Sequence, residues 1–288
     1  MKPSDYTTSD IIKLAENALR IGNYEDASRF FRYLMIHFGA INDEPNKRVF
    51  AIKTGECCML AAEKARGSPR AIILSVRAAE AFQEGGDHEM ARLCSSKIWE
   101  HYAAINEGEP RRDSELIHAL KVFGDYLVSS GDMEKAAIIY SHAAKNASES
   151  GRTLLAGGLC RDAGDCYRKI GNLEYAVDYY TKAADAYLRC REYFEAAWSY
   201  CKVSLTFICL GKMRDALQAA EKAESACYWG EIGIFLKDLS RICKLLGQGS
   251  LSEAEESWNK IKAKFSGEYA RLVEFSFQAA RKNQLEKY

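Results

Sequence analysis

One corner recurs along this chain and leaves few folds open to it. It reads I-G-N-Y-E-D-A-S-R-F-F from Ile21, G-G-D-H-E-M-A-R-L-C from Gly85 and S-G-D-M-E-K-A-A-I-I-Y from Ser130. It returns as I-G-N-L-E-Y-A-V-D-Y-Y from Ile170, C-R-E-Y-F-E-A-A-W-S-Y from Cys190 and L-G-K-M-R-D-A-L-Q-A-A from Leu210. Each time a turn residue precedes an alanine by five positions: Gly22/Ala27, Gly86/Ala91, Gly131/Ala136, Gly171/Ala176, Arg191/Ala196 and Gly211/Ala216. Glycine takes the left-handed backbone that ends a helix, and Asn, Asp or Glu opens the next. The alanine lets a neighbouring helix come close.

Such punctuation falls about every twenty residues, near Gly22, Asp43, Gly67, Gly86, Gly108, Gly131, Gly151, Gly171, Arg191, Gly211, Gly230, Gly249 and Gly267. Thirteen breaks predict fourteen helices of about sixteen to eighteen residues. Between breaks the apolar residues keep helical spacing, as in the stripe Val177, Tyr180, Ala184 and Tyr187. No segment sustains the period of two that a strand needs. The four prolines, Pro3, Pro45, Pro69 and Pro110, leave the rest of the chain free of helix breakers. The expected fold is all-α: an elongated, curved, tetratricopeptide-like right-handed α-solenoid of about fourteen helices. The strict corner is lost after about residue 230, so residues 1–229 should form the hairpin solenoid and 230–288 a C-terminal helical bundle.

With 288 residues, 40 Lys plus Arg against 40 Asp plus Glu, and 48% hydrophobic residues, the chain is an ordinary globular one. Zero net charge argues against nucleic acid and against a polybasic membrane surface. The N-terminal twenty residues have helical spacing without the apolar block of a signal peptide. Stretches such as Val203–Gly211 fall short of the ~18–20 apolar residues of a membrane helix. The ten cysteines (Cys57, Cys58, Cys94, Cys160, Cys166, Cys190, Cys201, Cys209, Cys227 and Cys243) mostly occupy apolar helix positions, so buried free thiols and a reducing cytoplasmic setting are expected.

Catalytic motifs are missing. There is no phosphate-binding G-x-x-x-x-G-K-[ST], no G-x-S-x-G elbow and no C-x-x-C pair. His88-Glu89 opens like a zinc-protease helix, but Arg92 stands where the second ligand belongs. His37, His88, His101, His118 and His142 are dispersed, and Tyr140, Tyr167, Tyr179, Tyr180, Tyr187 and Tyr200 read as wedges between helices. No catalytic residue, cofactor or metal is expected. A non-enzymatic interaction scaffold is.

Two longer blocks carry a family resemblance. One is G-D-M-E-K-A-A-I-I-Y-S-H-A-A-K-N-A-S-E-S-G followed by L-A-G-G-L-C-R-D-A-G-D-C-Y-R-K-I-G-N-L-E-Y-A-V-D-Y-Y-T-K-A-A-D-A-Y. The other runs S-Y-C-K-V-S-L-T-F-I-C-L-G-K-M-R-D-A-L-Q-A-A-E-K-A, F-L-K-D-L-S-R-I-C-K-L-L-G-Q-G-S-L-S-E-A-E-E-S-W, then S-G-E-Y-A-R-L-V-E-F-S-F-Q. With the helix count, they resemble the soluble NSF attachment proteins, and E-Y-A-R-L resembles the gamma branch more than the alpha branch.

That resemblance implies an adaptor that binds a SNARE-type coiled-coil bundle and recruits a hexameric AAA+ ATPase resembling NSF, reaching membranes only peripherally through its partners. Bundle-binding cations would be Arg161, Lys202, Lys121, Lys237 and Lys244. Arg161 and Lys202, forty-one positions apart, would form one exposed stripe. ATPase contacts would be Glu253, Glu255, Glu256 and Leu285, although the tail A-A-R-K-N-Q-L-E-K-Y is mixed where the family's is acidic. The first corner is short and Phe30-Phe31 lies within the following helix, so autonomous membrane attachment is not expected. The alternative is a generic tetratricopeptide peptide-binding scaffold or co-chaperone. A helical-repeat enzyme is a third reading, without a visible cluster of ionisable groups to support it.

Overall fold

A computed structural model describes residues 7–106, 114–231, 234–265 and 267–285. Among them are fourteen α-helices and no strand. They are α1 (Thr8–Arg20), α2 (Tyr24–Ala40), α3 (Glu44–Lys64), α4 (Pro69–Gly85), α5 (His88–Asn106), α6 (Ser114–Ser129), α7 (Met133–Glu149) and α8 (Thr153–Lys169). There follow α9 (Leu173–Arg189), α10 (Tyr193–Cys209), α11 (Met213–Trp229), α12 (Ile234–Gln248), α13 (Leu251–Ile261) and α14 (Gly267–Leu285). Lengths run from eleven residues in α13 to twenty-one in α3, a wider spread than corner spacing implied. The break expected at Gly108 lies outside the described residues.

From α7 to α11 the metre is strict: each helix has seventeen residues and each starts twenty after the last. The left-handed residues keep the same step, at Gly131, Gly151, Gly171, Arg191, Gly211 and Glu231. Two backbone hydrogen bonds close each of the five corners from Gly131 to Gly211. At Gly171 they run from Gly171 N–H to Arg168 C=O (3.0 Å) and from Asn172 N–H to Tyr167 C=O (2.9 Å). This six-to-one closure uses carbonyls that the helix end would otherwise leave bare. The residue after the turn then accepts from the backbone N–H of the corner alanine, as Asn172 does from Ala176 at 3.1 Å. The alanine is thus fixed in the first turn of the next helix and buried, Ala136, Ala176, Ala196 and Ala216 completely. Spacing outranks residue type here: Gly230 keeps a negative φ while Glu231, twenty residues after Gly211, takes φ 49°. Near the N-terminus the turn is at Asn42, and Asp43 caps α3.

The chain divides into two compact units, residues 1–126 and 127–288, the cut falling inside α6. The change in corner pattern after residue 229 is a feature of sequence inside the second unit. In unit 1, α1 to α5 pack in chain order. Phe31 is core, stacked 6.1 Å from Phe50, whereas Phe30 is half-buried beside it. α3 and α4 meet closely because Gly55 faces Phe82: a Cβ on Gly55 would lie 2.9 Å from that ring. In unit 2, α7 to α12 pack in chain order, α13 follows α12, and α12 and α14 both lie on α10. The stripe Val177, Tyr180, Ala184 and Tyr187 is buried throughout. The fold is a tetratricopeptide-like helical solenoid.

All ten cysteines are free and eight are buried. Burial pushes the Cys57, Cys94 and Cys166 thiols up to about 12. They act as small core hydrophobes. No helix of the described residues is long and apolar enough to cross a membrane.

His101 of α5 yields a pH prediction. It is 3% exposed, its Nε2 is buried with no hydrogen-bond partner among the described residues, and burial holds its pKa below the usual value. Glu63 opposes that shift, and Lys97 and Arg66 reinforce it. The unfolded chain therefore takes up this proton first as pH drops below ~6.5. Stability contributed by neutral His101 is present above that pH and is lost as pH falls toward the depressed folded value. Melting temperature should decline between about pH 7 and 5.5, and His101→Gln should flatten the decline. Parallel curves for parent and variant would show that His101 carries none of it.

Candidate functional site

The sequence of α10 makes it apolar or small on nearly every side, and α9, α11, α12 and α14 cover that circumference. Lys202 therefore sits in the interior, 2% exposed. A charge so placed must be paired. Its Nζ lies 2.9 and 3.0 Å from the two carboxylate oxygens of Asp165 on α8. The same Nζ is 5.1 Å from the Tyr180 ring and 4.8 Å from the Tyr269 ring. The Tyr180 hydroxyl donates to Asp165 Oδ1 at 2.6 Å. Gly164 makes room for that ring, since a Cβ there would lie 2.7 Å from it.

This corrects the expected stripe. Lys202 is a structural cation tying α8, α9, α10 and α14 together, out of reach of a partner's surface. The hairpin period is forty residues, so the counterpart of Arg161 on α10 is Cys201; Lys202 is one residue, about 100°, further round the helix.

The remaining expected cations are dispersed. Arg161 is partly exposed and donates to Glu195 at 2.9 Å, with Asp162 at 3.7 Å. Lys244 pairs with Glu224 at 2.7 Å, which raises the lysine's pKa. Lys121 pairs with Asp125 at 2.7 Å and belongs to unit 1. Lys237 is exposed, with no carboxylate pair among the described residues. On the acidic side, Glu255 is held by Arg281 (3.1 Å from Nε) and Glu256 by Lys260 (2.7 Å). Glu253 is exposed and Leu285 is 78% exposed.

What the structure does bring together was not expected. α14 lies across the face of unit 2 that the even-numbered helices α8 and α10 present. Trp198 of α10 meets Tyr269 edge-on at 4.8 Å, and Phe235, Phe265 and Trp258 extend that aromatic cluster into α12 and α13. Further along, Ser276 donates to Leu205 C=O at 3.2 Å and Asn283 to Ile208 C=O at 3.3 Å. Glu268 of α14 sits on two cations of α8, 3.5 Å from Arg168 and 3.1 Å from Lys169.

Beside these contacts opens a cleft of about 660 Å³. Arg168 and Lys169 of α8, Thr206 and Cys209 of α10 and the Arg271–Gln278 stretch of α14 wall it, with Leu173 at its edge. Three cations, Arg168, Lys169 and Arg271, line it against one carboxylate, Glu274. Phe275 is 55% exposed at its lip.

No protein-family profile matches this chain, and no curated protein matches it. Solved structures do. A Podosopora anserina kinesin light chain with nearly identical tetratricopeptide-like repeats has a TM-score of 0.49 at 11% identity, covering 68% of this chain and 94% of that one. Aspartyl phosphate phosphatase F from Bacillus subtilis has a TM-score of 0.48 at 15% identity, covering 99% and 76%. A signal-transduction ATPase of the STAND type with a tetratricopeptide repeat sensor, from Pyrococcus horikoshii, has a TM-score of 0.49 at 16% identity, covering 98% and 45%.

Proposed function

We propose that the chain is a non-enzymatic, protein-binding adaptor whose working surface in unit 2 is the face crossed by α14. The observation that carries this reading is the open, cation-lined cleft between α8, α10 and α14, since concave sites with a few convergent polar groups are where proteins take ligands. In its finer form, the adaptor holds a SNARE-type helical bundle and recruits a AAA+ ATPase resembling NSF. That form rests on the resemblance of the two sequence blocks to the soluble NSF attachment proteins, supported by the fourteen helices and the closing bundle. Lys237 would then serve the bundle, and Glu253 and Leu285 the ATPase, because these side chains are exposed.

Affinity capture from a lysate, with hydrolysable ATP or a non-hydrolysable analogue, tests it. A AAA+ ATPase and helical-bundle membrane-fusion proteins should be retained with the analogue and released on hydrolysis. Recovery of chaperones alone, indifferent to nucleotide, would replace the finer form with the co-chaperone reading.

A further inference from the structure

We propose that the cleft between α8, α10 and α14 binds a short acidic peptide segment that also carries an apolar side chain. The proposal rests on the protein-binding reading and names the partner's chemistry. The protein itself shows what these cations accept: the Glu268 carboxylate lies within ion-pair distance of both Arg168 and Lys169. With Glu274 also on the wall, two carboxylates face three cations, and one positive charge is left over. Among the described residues Arg271 has no carboxylate pair and the buried Nε of Arg168 has no acceptor.

The rest of the wall is of another kind. Leu173, Leu272, Cys209 and the exposed Phe275 make up its apolar part. An inorganic anion would leave those apolar groups wet, and a purely apolar ligand would strip water from guanidinium and ammonium groups without replacing it. A segment with carboxylates flanking a leucine or phenylalanine satisfies both. Thr206 is fully buried and Cys209 partly so, so recognition falls to the exposed Lys169, Arg271 and Phe275. Glu268 is then a competitor held in the same chain.

The test is fluorescence anisotropy of the full chain with a labelled Glu-Glu-Leu-Phe-Glu-Glu peptide at low and high salt. The peptide should bind, more weakly as salt rises, and its Gln-Gln-Leu-Phe-Gln-Gln counterpart should bind at least tenfold more weakly. Lys169→Glu with Arg271→Glu, both exposed helix residues, should lose at least tenfold while helix content stays unchanged. Glu268→Gln should bind several-fold more tightly than the parent, whereas Glu221→Gln, at an exposed carboxylate of α11 outside the cleft lining, should not. Equal binding of the two peptides, an unaffected double variant, or displacement of the peptide by an equal concentration of inorganic phosphate would overturn the proposal. Nucleotide-dependent capture by the Lys169→Glu/Arg271→Glu variant, with the peptide no longer bound, would separate this site from the adaptor function itself.

Discussion

Replacing Lys202 by methionine should destabilise the protein by about 3 kcal/mol or more, because removing one partner of a buried pair strands the other charge. Asp165 would keep its carboxylate with the Tyr180 hydroxyl bond and the charges of Arg161 and Arg168 nearby, but without its own ammonium partner. Its side chain is 23% exposed, so some water can help, which places the loss toward the lower end of the range. Joint replacement, Lys202→Met with Asp165→Asn, should recover part of that loss. Urea denaturation followed by circular dichroism gives both numbers. Arg161→Gln is the contrast: its pair with Glu195 is partly solvated, so its loss should cost under about 1 kcal/mol. A Lys202→Met protein as stable as its parent would mean that the buried pair contributes nothing beyond a packed methionine.

Phe82→Ala should cost about 3–5 kcal/mol, the range for removing a fully buried aromatic ring. Phe82 is 1% exposed and packs with Cys58, Ala78, Ala79 and Cys94. Gly55→Ala should also destabilise the parent, by about 1–3 kcal/mol, because the added methyl meets three atoms of that ring at 2.9 Å. The sign of this second change should reverse in the Phe82→Ala background, where the methyl enters the space the ring has left. A double-mutant cycle measured by thermal or urea denaturation reads the coupling directly. Additive losses would show that α3 shifts to accommodate the methyl and that Gly55 is not needed for the close approach.

Corners were legible in the sequence because their chemistry is local. A glycine, a capping side chain and an alanine within six residues determine one turn, whatever lies elsewhere. Arg191 was readable as a corner without glycine because its neighbours kept the pattern. The shift from Gly230 to Glu231 was not, since it follows from a spacing carried through five helices.

The burial of Lys202 is not legible in the sequence for a different reason. Its segment Y-C-K-V looks like any helix with one solvated lysine until α14, some seventy residues later, covers that side. Arg168 and Lys169 do not stand out in the sequence, because cations in the last turn of a helix are common and favourable on their own account. Only the arrival of α14, with Glu268 and Arg271, makes them part of a site. Pairwise ionic contacts between distant segments leave no periodic trace.

The uniform twenty-residue metre of α7 to α11 also limits how such a gene can change. Cutting forty residues between the same points of two corners rejoins like with like: every helix face downstream keeps its bearing. Losing a single residue inside a helix turns everything beyond it by about 100° and carries its core stripe out of the core. Heritable variation in length is therefore quantised here. Whole hairpins can be copied or dropped, while smaller insertions are confined to the irregular corners of the first hundred residues and to the closing bundle, where no metre is there to be broken.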